Sequence, residues 1–335
     1  MVGRLPRSDA VIEALTSHRS KGTENNYGTG WRTFTAYCDQ RGIRPFTATP
    51  LDICDYLAYL SERGTNNMHH LQPYLSAINA AFKDLGHVDG PAKGPLVNAV
   101  RDHYKARQVD DAPTDRVYYL PAPVAKQIYD AAVVVVQAQD FPADDNVFDL
   151  ATALLVTLVT YVTGSRPSSI RLLKTTDVKF LQGHCLQITR DYVKGQNDND
   201  LQDVTGRHPV SFPHSNYHSL YDILHTFHTH LSSQAADREY FFSISQPCAS
   251  ANNAWLLTAL SHVQATPPAG FRFVPKSCRR GFASGCFAAG VARERINYVG
   301  GWSFNSETAL KNYADLSAPC DEETKFFFSG WRTDV

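Results

Sequence analysis

Arg166 stands in Thr163-Gly-Ser-Arg-Pro167, Lys194 follows a strand-like run, and Lys276 and Arg279 lie three residues apart. Trp302 follows two glycines, and Tyr313 comes eleven residues after it. In chain order these are a guanidinium, two ammonium groups, a second guanidinium, an indole N–H and a phenol. Guanidinium forks bind phosphate oxygens bidentately. An indole donates a hydrogen bond without ionising. A phenol, with an ordinary pKa of about 10, becomes a nucleophile near neutral pH beside cations or with a base assisting. The set fits a phosphate site with its own nucleophile, and the reaction it names is attack of a tyrosine on a DNA phosphodiester.

Singly, each residue has a plainer role. An arginine often bridges a surface carboxylate, a lysine at a strand end is usually solvated, and a buried aromatic is usually core. Order and combination set these six apart. Arg166 falls between a helix stop at Gly164 and the start of another helix, where free amides already favour an anion. Lys276 and Arg279 share a helix face because residues three apart are neighbours. Arg280 points about 100° away around that helix and is assigned no catalytic role. Lys194, on a flexible stem, can reach a leaving oxygen and protonate it.

The 335 residues predict two domains. A hydrophobic content of 43% supports real cores, and 19% charged residues fits a soluble protein. The longest apolar run, 148–162, is interrupted by Asp149 and several threonines, which argues against a membrane span. The first twenty residues lack the apolar core of a signal peptide. Seven scattered cysteines form no CxxC pair, which predicts reduced thiols, an intracellular setting (nucleus or cytoplasm) and no zinc site. A net charge of −1 is unusual for a protein that binds nucleic acid. Net charge does not report the local field, however, and a basic concave face on an acidic exterior gives the same total.

Those residues must be positioned by two different kinds of domain. Tyr27, Trp31, Phe34 and Cys38 recur at helical spacing, Thr49-Pro50 opens a second helix, and 68–85 and 95–107 read as two more. Acidic and proline-rich residues 108–123 read as an extended linker. Beyond it come helices at 123–137 and 146–162, a short one from Pro167, strands at 185–193 and 208–212, and helices at 217–234, 251–263, 276–289, 292–299 and 306–312. The predicted fold is mainly α with a small β-sheet. It has an N-terminal tail (1–19), a helical domain (20–107), the linker, a mixed α/β catalytic domain (124–318) and a C-terminal tail (319–335).

Three segments carry a resemblance to the tyrosine recombinases, or phage integrase family. Val162-Thr-Gly-Ser-Arg-Pro-Ser-Ser-Ile-Arg-Leu-Leu173 with Asp177 resembles the family's first-arginine box. Pro275-Lys-Ser-Cys-Arg-Arg-Gly-Phe-Ala283 resembles its HxxR box. Ile296-Asn-Tyr-Val-Gly-Gly-Trp-Ser303, leading to Tyr313, resembles its C-terminal box, with a Cre-like Gly-Gly-Trp. The helical first domain is similar to the family's core-binding domain, so the likeness spans about residues 20–320. The resemblance implies that Tyr313 forms a 3′-phosphotyrosyl link while Arg166, Arg279, Lys276 and Trp302 hold the phosphate and Lys194 acts as general acid. It implies double-stranded DNA as the partner, a clamp of two domains, a tetramer of the chain on DNA, and no metal or small-molecule cofactor.

Four positions depart from the family pattern. Lys276 replaces the HxxR histidine, as a lysine does in type IB topoisomerases. Ser169 replaces a carboxylate. Trp302 and Tyr313 are more widely spaced than usual. Lys194 precedes a long loop, where Lys179 or Arg207 could take its place. A topoisomerase-like nicking-closing enzyme and a non-catalytic DNA-binding descendant are therefore the alternative readings. The tail, with Phe326, Phe327, Phe328 and Trp331, either packs on its own domain or docks on a neighbouring subunit, as the family's C-terminal helix often does.

Overall fold

The computed structural model describes residues 21–62, 71–109, 116–139, 141, 144–182, 185–190, 208–211, 218–234, 239–242, 254–302 and 305–331. The chain divides into two compact units, 1–113 and 114–335.

In the first unit the described regular structure is helical: α1 (Lys21–Arg41), α2 (Pro50–Glu62), α3 (Gln72–Asp84) and α4 (Pro95–Val109). The N–H and hydroxyl of Thr49 both donate to Asp52 Oδ2 at 2.7 Å, and the Asp52 N–H returns a bond to Thr49 Oγ1. This reciprocal cap fixes where α2 starts. Helix α1 packs on α3, and α2 packs on α4. Phe34, Tyr56, Leu57, Leu75 and Ile78 bury themselves between them.

The second unit is built around α6 (Asp145–Thr163), in which every residue from Ala151 to Thr163 is buried. By length and composition this helix could cross a membrane. Here it is the core helix, packed against α5 (Ala122–Val136), α9 (Ala254–His262) and α10 (Pro275–Ala288). The hydroxyls of Thr157, Thr160 and Thr163 each donate to the carbonyl four residues back, so these polar side chains are satisfied without water. Asp144 caps its N-terminus by accepting from the Val147 N–H at 2.9 Å.

A short helix α7 (Pro167–Arg171) leads into an antiparallel sheet of β2 (Val178–Leu181), β3 (Cys185–Arg190) and β4 (His208–Ser211) in that order. Val178 pairs with Ile188, and both are buried with Leu186 against the core. Phe180 packs edge-on to Tyr221 and His225 of α8 (His218–Gln234). Strand β2 carries no strand signal in the sequence reading. The structure forms it because alternation places Val178 inward and Lys179 outward, opposite β3.

Residues 116–120 are fastened to this unit. Strand β1 (Arg116–Val117) pairs in parallel with β5 (Phe271–Arg272), and the buried Leu120 donates its N–H to the Ser277 carbonyl at 2.9 Å. The extended segment thus continues as a structural edge of the second unit. After α10 come α11 (Arg293–Gly300), α12 (Thr308–Asn312) and α13 (Glu322–Phe328), then a 3-10 turn, Ser329–Trp331.

The tail packs on its own unit in the single chain. Phe327 and Phe328 are fully buried and Trp331 is nearly so, all within the core of their own unit. Helix α13 packs on α5 and α10. Within the single chain these aromatic rings are buried in the groove their own domain provides.

Candidate active site

Helix α10 carries two of the predicted cations. Pro275 occupies its first turn, and the Ser277 hydroxyl oxygen accepts from the Val274 N–H at 3.0 Å, so the start of the helix is fixed. Cys278, Phe282 and Cys286 bury one face, and burial pushes the Cys278 thiol up to about 12 and raises the Cys286 thiol well above its ordinary value. Both thiols are packing residues in their neutral form. Lys276 projects from the other side and is exposed.

Arg279 is only 4% exposed. Its Nη1 donates to the Gly164 carbonyl at 2.7 Å, across 115 residues of sequence. This bond ties the HxxR-like box to the Thr-Gly-Ser-Arg box. Gly164 ends α6 in the left-handed conformation at φ +56°, which an L side chain adopts only at a cost. Phe282 also leaves no room for a Cβ there. Two residues on, Arg166 is half-buried ahead of α7, and its carbonyl accepts the first amides of that turn. Among the described residues, no carboxylate forms an ion pair with Arg166 or Lys276. Gly164→Ala is expected to destabilise the second unit by about 2 kcal/mol, which lowers Tm by roughly 5 °C. Thermal unfolding checks this; an unchanged Tm would show that the loop tolerates a side chain.

Trp302 is placed by the two glycines before it. Gly301 is left-handed at φ +65°, and the Trp302 N–H closes the helix end on the Asn297 carbonyl at 2.9 Å. The indole folds back over Gly300, where a Cβ would collide with its six-membered ring. The Arg279 guanidinium lies 3.9 Å from the centre of the Trp302 ring, a cation–π stack that holds the fork in one plane. Phe282 stacks behind Trp302 at 6.4 Å, and Phe328 of the tail meets Phe282 edge-on at 5.8 Å.

Tyr313 follows α12, a helix of five residues supported by the Glu307–Lys311 pair. That helix begins two residues later than its sequence suggests, because the Ser306 hydroxyl accepts the Thr308 N–H and so lies at its entry. The half-buried Tyr313 ring sits 5.2 Å from Trp302, 5.2 Å from the Arg279 guanidinium and 5.0 Å from Lys276 Nζ. Four residues predicted from sequence thus converge: Lys276, Arg279, Trp302 and Tyr313. Arg166 lies two residues after the Gly164 carbonyl that Arg279 binds, and its side chain makes no hydrogen bond or ring contact with these four among the described residues. Lys194 and its alternative Arg207 lie outside the described residues, while Lys179 is exposed on β2. The carbonyl of Gly164 was missed as a functional group, although a glycine at a helix end two residues before Arg166 is a legible signal.

No protein-family model matches the chain, and no curated protein matches it. Solved structures do. A lambda integrase dimer bound to a COC′ core site aligns over 91% of this chain and 93% of its own, with 16% identity and a TM-score of 0.55. A lambda integrase tetramer bound to a Holliday junction aligns over 92% and 76%, with 14% identity and a TM-score of 0.54. The Tn1549 transposon integrase in complex with circular intermediate DNA aligns over 91% and 94%, with 14% identity and a TM-score of 0.53. The chain therefore has the tyrosine-recombinase fold, mainly helical with small sheets, as the resemblance implied.

Proposed function

We propose that the chain is a site-specific DNA recombinase that cleaves and rejoins strands through Tyr313. The observation that carries this reading is the convergence of Lys276, Arg279 and Trp302 on the Tyr313 ring at 5.0–5.2 Å separations. The Tyr313 oxygen attacks the scissile phosphorus, the bond to the 5′ oxygen breaks, and a 3′-phosphotyrosyl link forms. Arg166 and Arg279 clamp the non-bridging oxygens, with Lys276 and the Trp302 indole as further donors. Charge-assisted bonds of this kind contribute about 1.5–3 kcal/mol each. They accelerate the reaction to the extent that they fit the pentacovalent state better than the ground state. Lys194 protonates the departing 5′ oxygen. The link conserves the phosphoester, so a 5′-hydroxyl from a second duplex can religate it without a nucleotide cofactor. Four protomers would exchange strands pairwise.

Lys276, in place of the family's histidine, favours a second reading: a type IB topoisomerase-like enzyme that nicks and closes one duplex. Incubation with two differently labelled duplex pools, from element ends or random sequence, separates the two. Recombinant molecules carrying both labels are the expected product. No joint molecule from the pools, with relaxation of a supercoiled plasmid by the same protein, would transfer the assignment to the topoisomerase class.

A further inference from the structure

The Tyr313 helix has only five residues, and so short a helix has no stability of its own. The place of the phenol therefore depends on what grips the chain on either side. On the upstream side, the fully buried Asn297 donates from Nδ2 to the Ser306 carbonyl at 2.9 Å, while its own carbonyl accepts the Trp302 N–H. On the downstream side, the Asp315 N–H donates to the Ser284 hydroxyl oxygen at 2.8 Å, across 31 residues of sequence.

Ser284 is 1% exposed and belongs to α10. It lies five residues after Arg279, about 7.5 Å along the axis. Its hydroxyl proton goes to the Arg280 carbonyl at 2.8 Å, which sets the rotamer and leaves a lone pair for Asp315. The Asp315 carboxylate is engaged elsewhere. Its Oδ1 accepts from the N–H and hydroxyl of Ser317 at 3.0 and 2.7 Å, closing a turn. The backbone N–H of Asp315 is thus held by Ser284, two residues beyond the phenol.

The geometry points to Ser284 as the residue that positions the nucleophile. Through Asp315 it fastens Tyr313 to the same rigid helix that carries Lys276 and Arg279, so attacking oxygen and phosphate donors keep one spacing. Removing the hydroxyl takes away the hydrogen bond that grips the chain directly after Tyr313, and leaves the ring contacts and the more distant α13 to hold that side. This inference rests on the reading of Tyr313 as the nucleophile. Ser284 is a positioning residue: it acts through the backbone.

The test uses full-length protein on nicked suicide duplexes drawn from a random-sequence pool, with single-turnover adduct formation measured across DNA concentrations. Ser284→Ala is expected to lower the saturating cleavage rate about 10- to 100-fold, the scale of an ångström of misplacement. The half-saturating DNA concentration should move less than about twofold, since affinity comes from phosphate contacts elsewhere. Ser284→Thr keeps the hydroxyl and should recover most of the rate. A threonine can hold the required rotamer, as Thr157, Thr160 and Thr163 do when they bond four residues back in α6.

A Ser284→Ala protein that cleaves at the wild-type rate overturns the inference. So does one whose Tm, DNA affinity and rate all fall together, which would mean a purely structural hydroxyl. A threonine variant that matches wild type in Tm but not in rate also contradicts it. Absence of an adduct with the wild-type protein itself fails at the earlier step: it removes Tyr313 as nucleophile and Ser284's role with it.

Discussion

Arg279→Ala is expected to reduce DNA cleavage by about 10³-fold or more, with a far smaller loss of duplex affinity. Removing a single preorganised donor at a developing oxyanion costs about 10²–10³ in rate. Arg279 does more than donate. Its bond to the Gly164 carbonyl and its stack on Trp302 make it the link between three sequence boxes. Alanine would leave a hole where a buried guanidinium stood and would free Trp302 and Tyr313 from their shared cation. Arg279→Lys should recover little, because a point charge replaces the planar fork that stacks and bonds at once. Single-turnover cleavage on a suicide substrate measures the effect. A variant within tenfold of wild type would place the essential phosphate donor elsewhere.

Deleting residues 321–335 is expected to abolish cooperative folding of the second unit. Phe327, Phe328 and Trp331 are all inside its core, and emptying one such aromatic site costs about 3–5 kcal/mol. Three together approach or exceed the total stability of an ordinary domain, about 5–15 kcal/mol. The loss reaches the site, since Phe328 backs Phe282 and Phe282 backs Trp302. Close packing sharpens the dependence: the Phe328 ring occupies the space where a Cβ on Gly285 of α10 would stand. Circular dichroism melts of the truncated protein check this, with Phe328→Ala as the milder companion. A truncated monomer that melts cooperatively near the wild-type Tm but fails to assemble on DNA would return the tail to a docking role between subunits.

The parts of this fold that sequence discloses are those with local causes. Helix α10 is readable because Pro275 starts it and Cys278, Phe282 and Cys286 repeat at helical spacing. Gly164 and Gly301 mark helix ends, since left-handed backbone there favours glycine. The parallel pair of β1 and β5 is invisible for the opposite reason. Two residues carry no periodicity, and the partners Arg116 and Phe271 are distant in sequence. The segment leading to Leu120 has linker composition, yet its backbone is held against Ser277 and Gly281, a contact that only tertiary packing creates. The tail shows the same limit. Its aromatic pattern demands burial without saying against what, and the complementary groove between α5 and α10 decides.

The site follows the same division. Residue types and order nominated Lys276, Arg279, Trp302 and Tyr313, because phosphate chemistry restricts which side chains can serve. The contacts that assemble them are backbone acceptors and stacked rings: the Gly164 carbonyl, the Ser284 hydroxyl, the Phe282–Trp302 stack. Those depend on distances between helices and leave no periodic trace.

As the nucleophile, Tyr313 becomes covalently attached to DNA. That attachment is tested most directly by trapping on nicked suicide duplexes from element ends or a random pool, comparing wild type with Tyr313→Phe. The expected result is a protein–DNA adduct that survives denaturant, maps by mass spectrometry to the peptide containing Tyr313, and disappears in the phenylalanine variant. An adduct retained by Tyr313→Phe would assign the nucleophile to another residue, and tight duplex binding with no adduct from either protein would mark the chain as a DNA-binding protein without strand-transfer chemistry.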